Sequence, residues 1–129
     1  MSDFRILLVD DEISSAEVIG LILSQEGYRV TLAADGRQAL ERLATAAPQL
    51  LITDFMMPVL NGAELVRAVR ALPGYAALPV LLMSGAPEAA LRPYQLTYEA
   101  FLRKPFTLEQ FLQTVRRLRE LDTGTQPSP

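Results

Sequence analysis

The chain of 129 residues contains no cysteine and no histidine. The first absence excludes disulfides, thiolate zinc sites and cysteine nucleophiles. The second removes histidine-based general acid–base chemistry, histidine triads and histidine phosphotransfer by this chain itself. No uninterrupted apolar run reaches the roughly 18 residues that a membrane-spanning helix needs, so no membrane insertion is expected. The start, MSDFRILLVDDE, sets acids on both sides of a short apolar run, unlike a secretory signal, and a soluble cytoplasmic protein is the expectation. Positive charge is also short: the net charge is −3, which argues against direct nucleic acid binding by this domain. The one basic cluster, Arg116, Arg117 and Arg119, reads as a solvated helix face near a helix C-terminus, where positive charge suits the macrodipole.

Half of the residues are apolar and 21% are charged, a globular composition at the length of one domain. Ile6-Leu7-Leu8-Val9 is wholly apolar and ends in three acids. A run without polar alternation suits a strand covered on both faces, as in a parallel sheet. Comparable runs are Val30–Ala33, Leu50–Thr53 and Val80–Met83, with a weaker one at Ala100-Phe101-Leu102. Between them lie segments of helical period. Ser14 with Glu17, Asp35 with Gln38, Asn61 with Glu64 and Thr107 with Gln110 each have the spacing of a capping box. The first of these helices carries Val18, Ile19, Ile22 and Leu23 on one stripe and meets a C-cap at Gly27. Pro93 sits in the middle of the segment from Pro87 to Tyr98, so a short or distorted helix is expected there.

Strands alternating with helices predict an α/β domain with a five-stranded parallel sheet, flavodoxin-like in strand order 2-1-3-4-5, with helices on both faces. The expected domain covers residues 1–122, with 123–129 a flexible tail or the start of a linker in a longer regulator. In that order the first and third strands are neighbours, so Asp10, Asp11 and Asp54 meet at one sheet edge. Like charges so close repel, and a hard divalent cation removes that cost. Magnesium takes a few carboxylates while keeping positions open for phosphate oxygens. Ser84 and Lys104, ending the fourth and fifth strands, add a hydroxyl and an ammonium. A carboxylate nucleophile, a cation, a hydroxyl and an ammonium around one cavity suit phosphoryl transfer.

Over roughly residues 4 to 121 the chain resembles the receiver domains of two-component response regulators, including the chemotaxis regulators. The resemblance rests on LLVDDE at Leu7–Glu12, LLITDFMMPVLNG at Leu50–Gly62, LLMSGA at Leu81–Ala86 and FLRKPF at Phe101–Phe106, in that order and spacing. It implies that Asp54 is the phosphoacceptor, and that Asp10, Asp11, Asp54 and the backbone carbonyl of Met56 hold Mg2+. It further implies that Ser84 and Lys104 contact the phosphoryl oxygens, that Phe101 is the switch aromatic acting with Ser84, and that the Lys104–Pro105 bond is cis. The implied partners are a histidine kinase or histidine phosphotransfer protein and a downstream protein target.

Each assignment has a plainer counterpart. Glu12 fits helix-start electrostatics, Pro58 and Gly62 fit turn chemistry, Met56 and Met57 fit core filler, and Phe101 fits a buried strand residue. The chain departs from the family at Tyr98-Glu99-Ala100, where a Gly-Ala pair is usual before the fifth strand. A phosphorylation-independent docking module on the same fold is the alternative function. A phosphatase acting through Asp54 would need a second acid two residues on, where Met56 stands. Flavin binding rests on fold analogy alone.

Overall fold

The computed structural model describes residues 3–125 and has the alternating order that the apolar runs predict. Strand β1 (Arg5–Val9) leads to helix α1 (Ile13–Gln25), β2 (Arg29–Ala33), α2 (Gly36–Ala46) and β3 (Leu50–Asp54). Then come α3 (Gly62–Arg70), β4 (Val80–Ser84), a 3₁₀ segment (Glu88–Tyr94), β5 (Ala100–Arg103) and α4 (Leu108–Thr125). All pairings are parallel and the sheet order is β2-β1-β3-β4-β5. Side chains alternate across the sheet. Leu7, Val9, Leu51, Val80 and Leu82 pack beneath α2, α3 and the 3₁₀ segment, while Ile6, Leu8, Leu50, Ile52, Leu81 and Met83 pack beneath α1 and α4. Every residue of β3 and β4 is buried, which is why those runs carry no polar alternation.

Three of the four expected helix starts form as read. The Asp35 side chain accepts from the Gln38 N–H at 2.8 Å. Asn61 with Glu64 and Thr107 with Gln110 make reciprocal capping boxes. The start at Ser14 does not form, because α1 has already begun at Ile13 with Glu12 in the cap position and no side-chain cap. The carboxylate of Asp10 accepts from the Glu12 N–H at 3.0 Å and turns the chain directly from β1 into the helix. The buried stripe of α1 is correspondingly Ala16, Gly20 and Leu23, and Val18 is exposed. The other end is as expected: Gly27 has φ +97°, its N–H reaches the Ser24 carbonyl and the Tyr28 N–H reaches that of Leu23, a Schellman closure.

Two readings near the C-terminus change. Helix α4 continues to Thr125, past the expected boundary at 122, so the arginine cluster does not mark its last turn, which carries no basic residue. Arg116 and Arg117 are solvated, but Arg119 lies over the rings of Phe4 and Tyr28, at 5.8 and 5.7 Å from their centroids. Residues 126–129 of the expected tail lie outside the described residues. The segment around Pro93 is short and distorted as anticipated: it is 3₁₀ in form and ends at Gln95 with φ +50°. No helix among the described residues is long and apolar enough to cross a membrane.

Candidate functional site

Parallel register brings the acids together. Val9 pairs with Thr53 across β1 and β3, so Asp10 and Asp54 leave the sheet side by side at the edge where the strand order reverses. The Asp10 N–H extends the ladder to the Ala33 carbonyl at 3.1 Å, fixing that residue. Asp10 and Asp54 are buried and Asp11 is exposed. One carboxylate oxygen from each of the three lies within 4.8 Å of the others. Asp10 divides its oxygens: Oδ1 accepts from the Glu12 N–H, and Oδ2 faces the Lys104 Nζ at 3.9 Å.

Lys104 is set by the neighbouring strands. Its N–H donates to the Ser84 carbonyl at 2.8 Å, and its ammonium comes within 3.3 Å of Asp54 Oδ1. The peptide bond that follows, Lys104–Pro105, is cis. One ammonium thus stands against three carboxylates. The Asp54 carboxyl is held above the usual carboxylate range, first by burial and then by Asp10 and Asp11, with Lys104 opposing. Such a group has two ways to lose its excess charge: it takes a proton, or it takes a cation. The donor set is all oxygen, two of its three carboxylates are buried, and the third opens to solvent. This fits a hard divalent ion that keeps part of its water shell.

Ser84 ends β4 fully inside, and its Oγ accepts from the Ala86 N–H at 3.0 Å, so it satisfies the strand end and still has a proton to donate. Phe101 is only half-buried, since β5 is an edge strand; its ring centroid is 6.4 Å from that of Tyr98. Met56 is 66% exposed and so is no core filler, whereas Met57 packs partly into the α2–α3 side of the core. Pro58 accepts from the Leu60 N–H at 2.7 Å across Val59, which has φ +72°. Gly62 does more than turn the chain. Its N–H donates to the Phe55 carbonyl at 2.7 Å, and a Cβ there would stand 2.9 Å from Phe55 Cα and 3.0 Å from the Asp54 oxygen.

Phe55 is the residue that sequence reasoning missed. It follows Asp54, is buried, donates its N–H to Met83 and sets its ring edge-on to Tyr94 of the 3₁₀ segment at 5.0 Å. Only the glycine at Gly62, which lets the loop close over it, left a trace in the sequence.

A buried carboxylate stands beside two others and an ammonium at the switch point of a doubly wound parallel sheet. Comparison with known proteins gives the class. Residues 6–116 match the family model described as the response regulator receiver domain. The response regulator MprA of Mycolicibacterium vanbaalenii is 39% identical over 116 residues, covering 88% of this chain and 49% of that protein. The sensor histidine kinase TmoS of Ectopseudomonas mendocina is 38% identical over 116 residues, covering 88% of this chain and 12% of that protein. This chain therefore spans about half, or much less, of the length of those curated relatives. Among solved structures, the chemotaxis protein CheY4 of Vibrio cholerae superposes with a TM-score of 0.85 at 34% identity, covering 91% of this chain and 99% of that one. The receiver domain of the Pseudomonas aeruginosa sensor histidine kinase PA1611, solved with a magnesium ion coordinated in its active site cleft, gives 0.81 at 29% identity, covering 91% and 98%.

The chain belongs to the response regulator receiver domain family. Phosphorylation-dependent signalling in two-component systems is the general function of that family.

Proposed function

We propose that Asp54 accepts a phosphoryl group from a phosphohistidine of a histidine kinase or histidine phosphotransfer protein, and that a downstream protein reads the result. The observation that carries this reading is the buried Asp54 carboxylate, crowded by Asp10 and Asp11 and contacted by Lys104 at 3.3 Å. In the transfer, an Asp54 oxygen forms a bond to phosphorus. The P–N bond of the donor breaks, its electron pair stays on the imidazole nitrogen, and that nitrogen is left protonated by solvent. Lys104 neutralises charge on the phosphoryl oxygens, and the Ser84 hydroxyl donates a hydrogen bond to one of them. Asp10, Asp11, Asp54 and the Met56 carbonyl would hold Mg2+. When bound, the ion supplies charge neutralisation and orientation of phosphate oxygens.

Exposed apolar residues flank the carboxylates. Ile13 at the start of α1, and Met56 and Val59 on the loop after Asp54, offer a docking rim for the donor protein. The negative net charge supports output through a protein target and not through nucleic acid, and a cytoplasmic location goes with that role. Intact mass after incubation with magnesium and phosphoramidate tests the reading. Gain of one phosphoryl mass that needs magnesium and is absent from Asp54→Asn is expected; no gain in a folded protein would refute it.

One observation favours the alternative of a phosphorylation-independent docking module. Arg67 donates to the Tyr94 carbonyl, and Arg70 donates to Thr97 Oγ1 at 2.6 Å and to Glu99 Oε1 at 3.0 Å, tying the segment after β4 to α3. A surface so tied could dock a partner in either state. Equal partner affinity with and without phosphorylation would establish that alternative.

A further inference from the structure

The span from Glu88 to Tyr98 is closed on itself by one hydrogen bond. The Tyr98 hydroxyl donates to Glu88 Oε2 at 2.6 Å, joining the first residue of the 3₁₀ segment to the residue two before β5. The middle of the span is anchored separately, by buried Leu91, by the Tyr94 ring on Phe55, and by Arg67 on the Tyr94 carbonyl. Beside the closing bond lies a surface cavity of about 370 Å³, lined in part by Glu88, Leu91, Arg92, Gln95, Leu96 and Tyr98. The Tyr98 phenol is pushed up to about 12, by burial first and by Glu88 second, so it stays a neutral donor at physiological pH.

Both ends of this bond hang from the site. Ser84 Oγ holds the Ala86 N–H, two residues before Glu88. On the other side, Tyr98 touches Phe101, three residues before Lys104, whose ammonium contacts Asp54. A hydroxyl turned toward a phosphoryl group on Asp54 changes the geometry of the Ser84–Ala86 bond and with it the path to Glu88. Phe101, the aromatic at the switch position, has no hydroxyl of its own, and Tyr98 supplies one beside it.

On the reading that Asp54 is phosphorylated, we propose that the Tyr98–Glu88 hydrogen bond is a latch of the unphosphorylated state, and that it opens when Ser84 and Phe101 rearrange about the phosphoryl group. Coupling of this kind is reciprocal. A bond present only before phosphorylation opposes phosphorylation as strongly as phosphorylation opposes the bond. Transfer proceeds from the unlatched conformer, so cutting the latch raises the population that reacts and with it the rate, although neither residue touches the site.

The test is the rate of phosphorylation by phosphoramidate with magnesium, followed by intact mass, in the wild type, Tyr98→Phe, Glu88→Gln, the double variant and Tyr75→Phe. Each latch variant is expected to react about two- to tenfold faster, the worth of one hydrogen bond. The double variant should gain nothing beyond either single one, because all three lose the same bond. Tyr75→Phe, whose hydroxyl lies 3.5 Å from the Leu43 carbonyl on the other side of α3, should react like the wild type. Unchanged or slower rates in both single variants, with lowered melting temperatures, would make the pair merely structural and overturn the proposal. A wild type that takes up no phosphoryl group would instead remove the reading on which the latch rests.

Discussion

Replacing Asp54 by its isostere asparagine should stabilise the protein without magnesium and weaken its response to magnesium. The ionised side chain is repelled by Asp10 and Asp11, each within 4.8 Å. At an effective dielectric of about 20, each repulsion amounts to about 3.5 kcal/mol. Lys104 at 3.3 Å returns about 5 kcal/mol on the same scale. Burial of the carboxylate adds to the net repulsion, while solvent around exposed Asp11 reduces that residue's share. The expected gain from Asp54→Asn in chelator is therefore about 1–3 kcal/mol, with each kcal/mol moving the melting temperature by roughly 3–5 °C at this size. Magnesium should narrow that gap, and reverse it where the extra gain of the wild type exceeds the gap. At a hundredfold excess over its dissociation constant it stabilises the wild type by about 2.7 kcal/mol, and the variant, short of one ligand charge, gains less. Thermal unfolding of both proteins across a magnesium titration reads the narrowing directly. A variant less stable than the wild type in chelator would mean that the Lys104 attraction outweighs the carboxylate repulsion, and parallel magnesium shifts would remove Asp54 from the ligand set.

Gly62→Ala should destabilise the fold by about 1–3 kcal/mol, because the new Cβ meets backbone at Phe55 and Asp54 and not a yielding side chain; denaturant unfolding measures it. Val59→Asn should raise stability by about 1 kcal/mol, since a β-branched residue at φ +72° is strained and Val59, being exposed, gives up no burial. For Tyr98, the folded value of about 12 lies above the ordinary value of 10, so the stability it lends is whole below pH 10 and is lost as pH rises through 12. Ultraviolet titration should accordingly show a late phenolate for Tyr98 that titrates earlier in Glu88→Gln, and an unmoved titration would deny the contact.

Local signals carried most of the fold. The runs at Leu7, Leu51 and Leu81 were legible because both faces of those strands are covered, and Asp35, Asn61 and Thr107 because a cap acts within its own turn. The Ser14 cap failed for a tertiary reason: the Asp10 carboxylate, placed by the sheet, starts α1 early. Phe101 reads as buried from its apolar type, although the inferred strand order already sets β5 at the sheet edge, where the ring is left half-buried. The meeting of Asp10, Asp11 and Asp54 followed once the strand order was inferred, since the register does the rest. The Phe55–Tyr94 contact and the Arg70–Glu99 pair join residues far apart in the chain, the Tyr98–Glu88 bond closes a loop of irregular form, and no periodicity encodes them.

The proposed function requires that Asp54 and no other carboxylate take the phosphoryl group. Reductive trapping of the acyl phosphate with borohydride, after exposure to phosphoramidate and magnesium, followed by peptide mass mapping, locates it. Modification at Asp54 alone is expected, lost when magnesium is chelated. Label on Asp10, Asp11 or any other residue, with Asp54 intact, would contradict it.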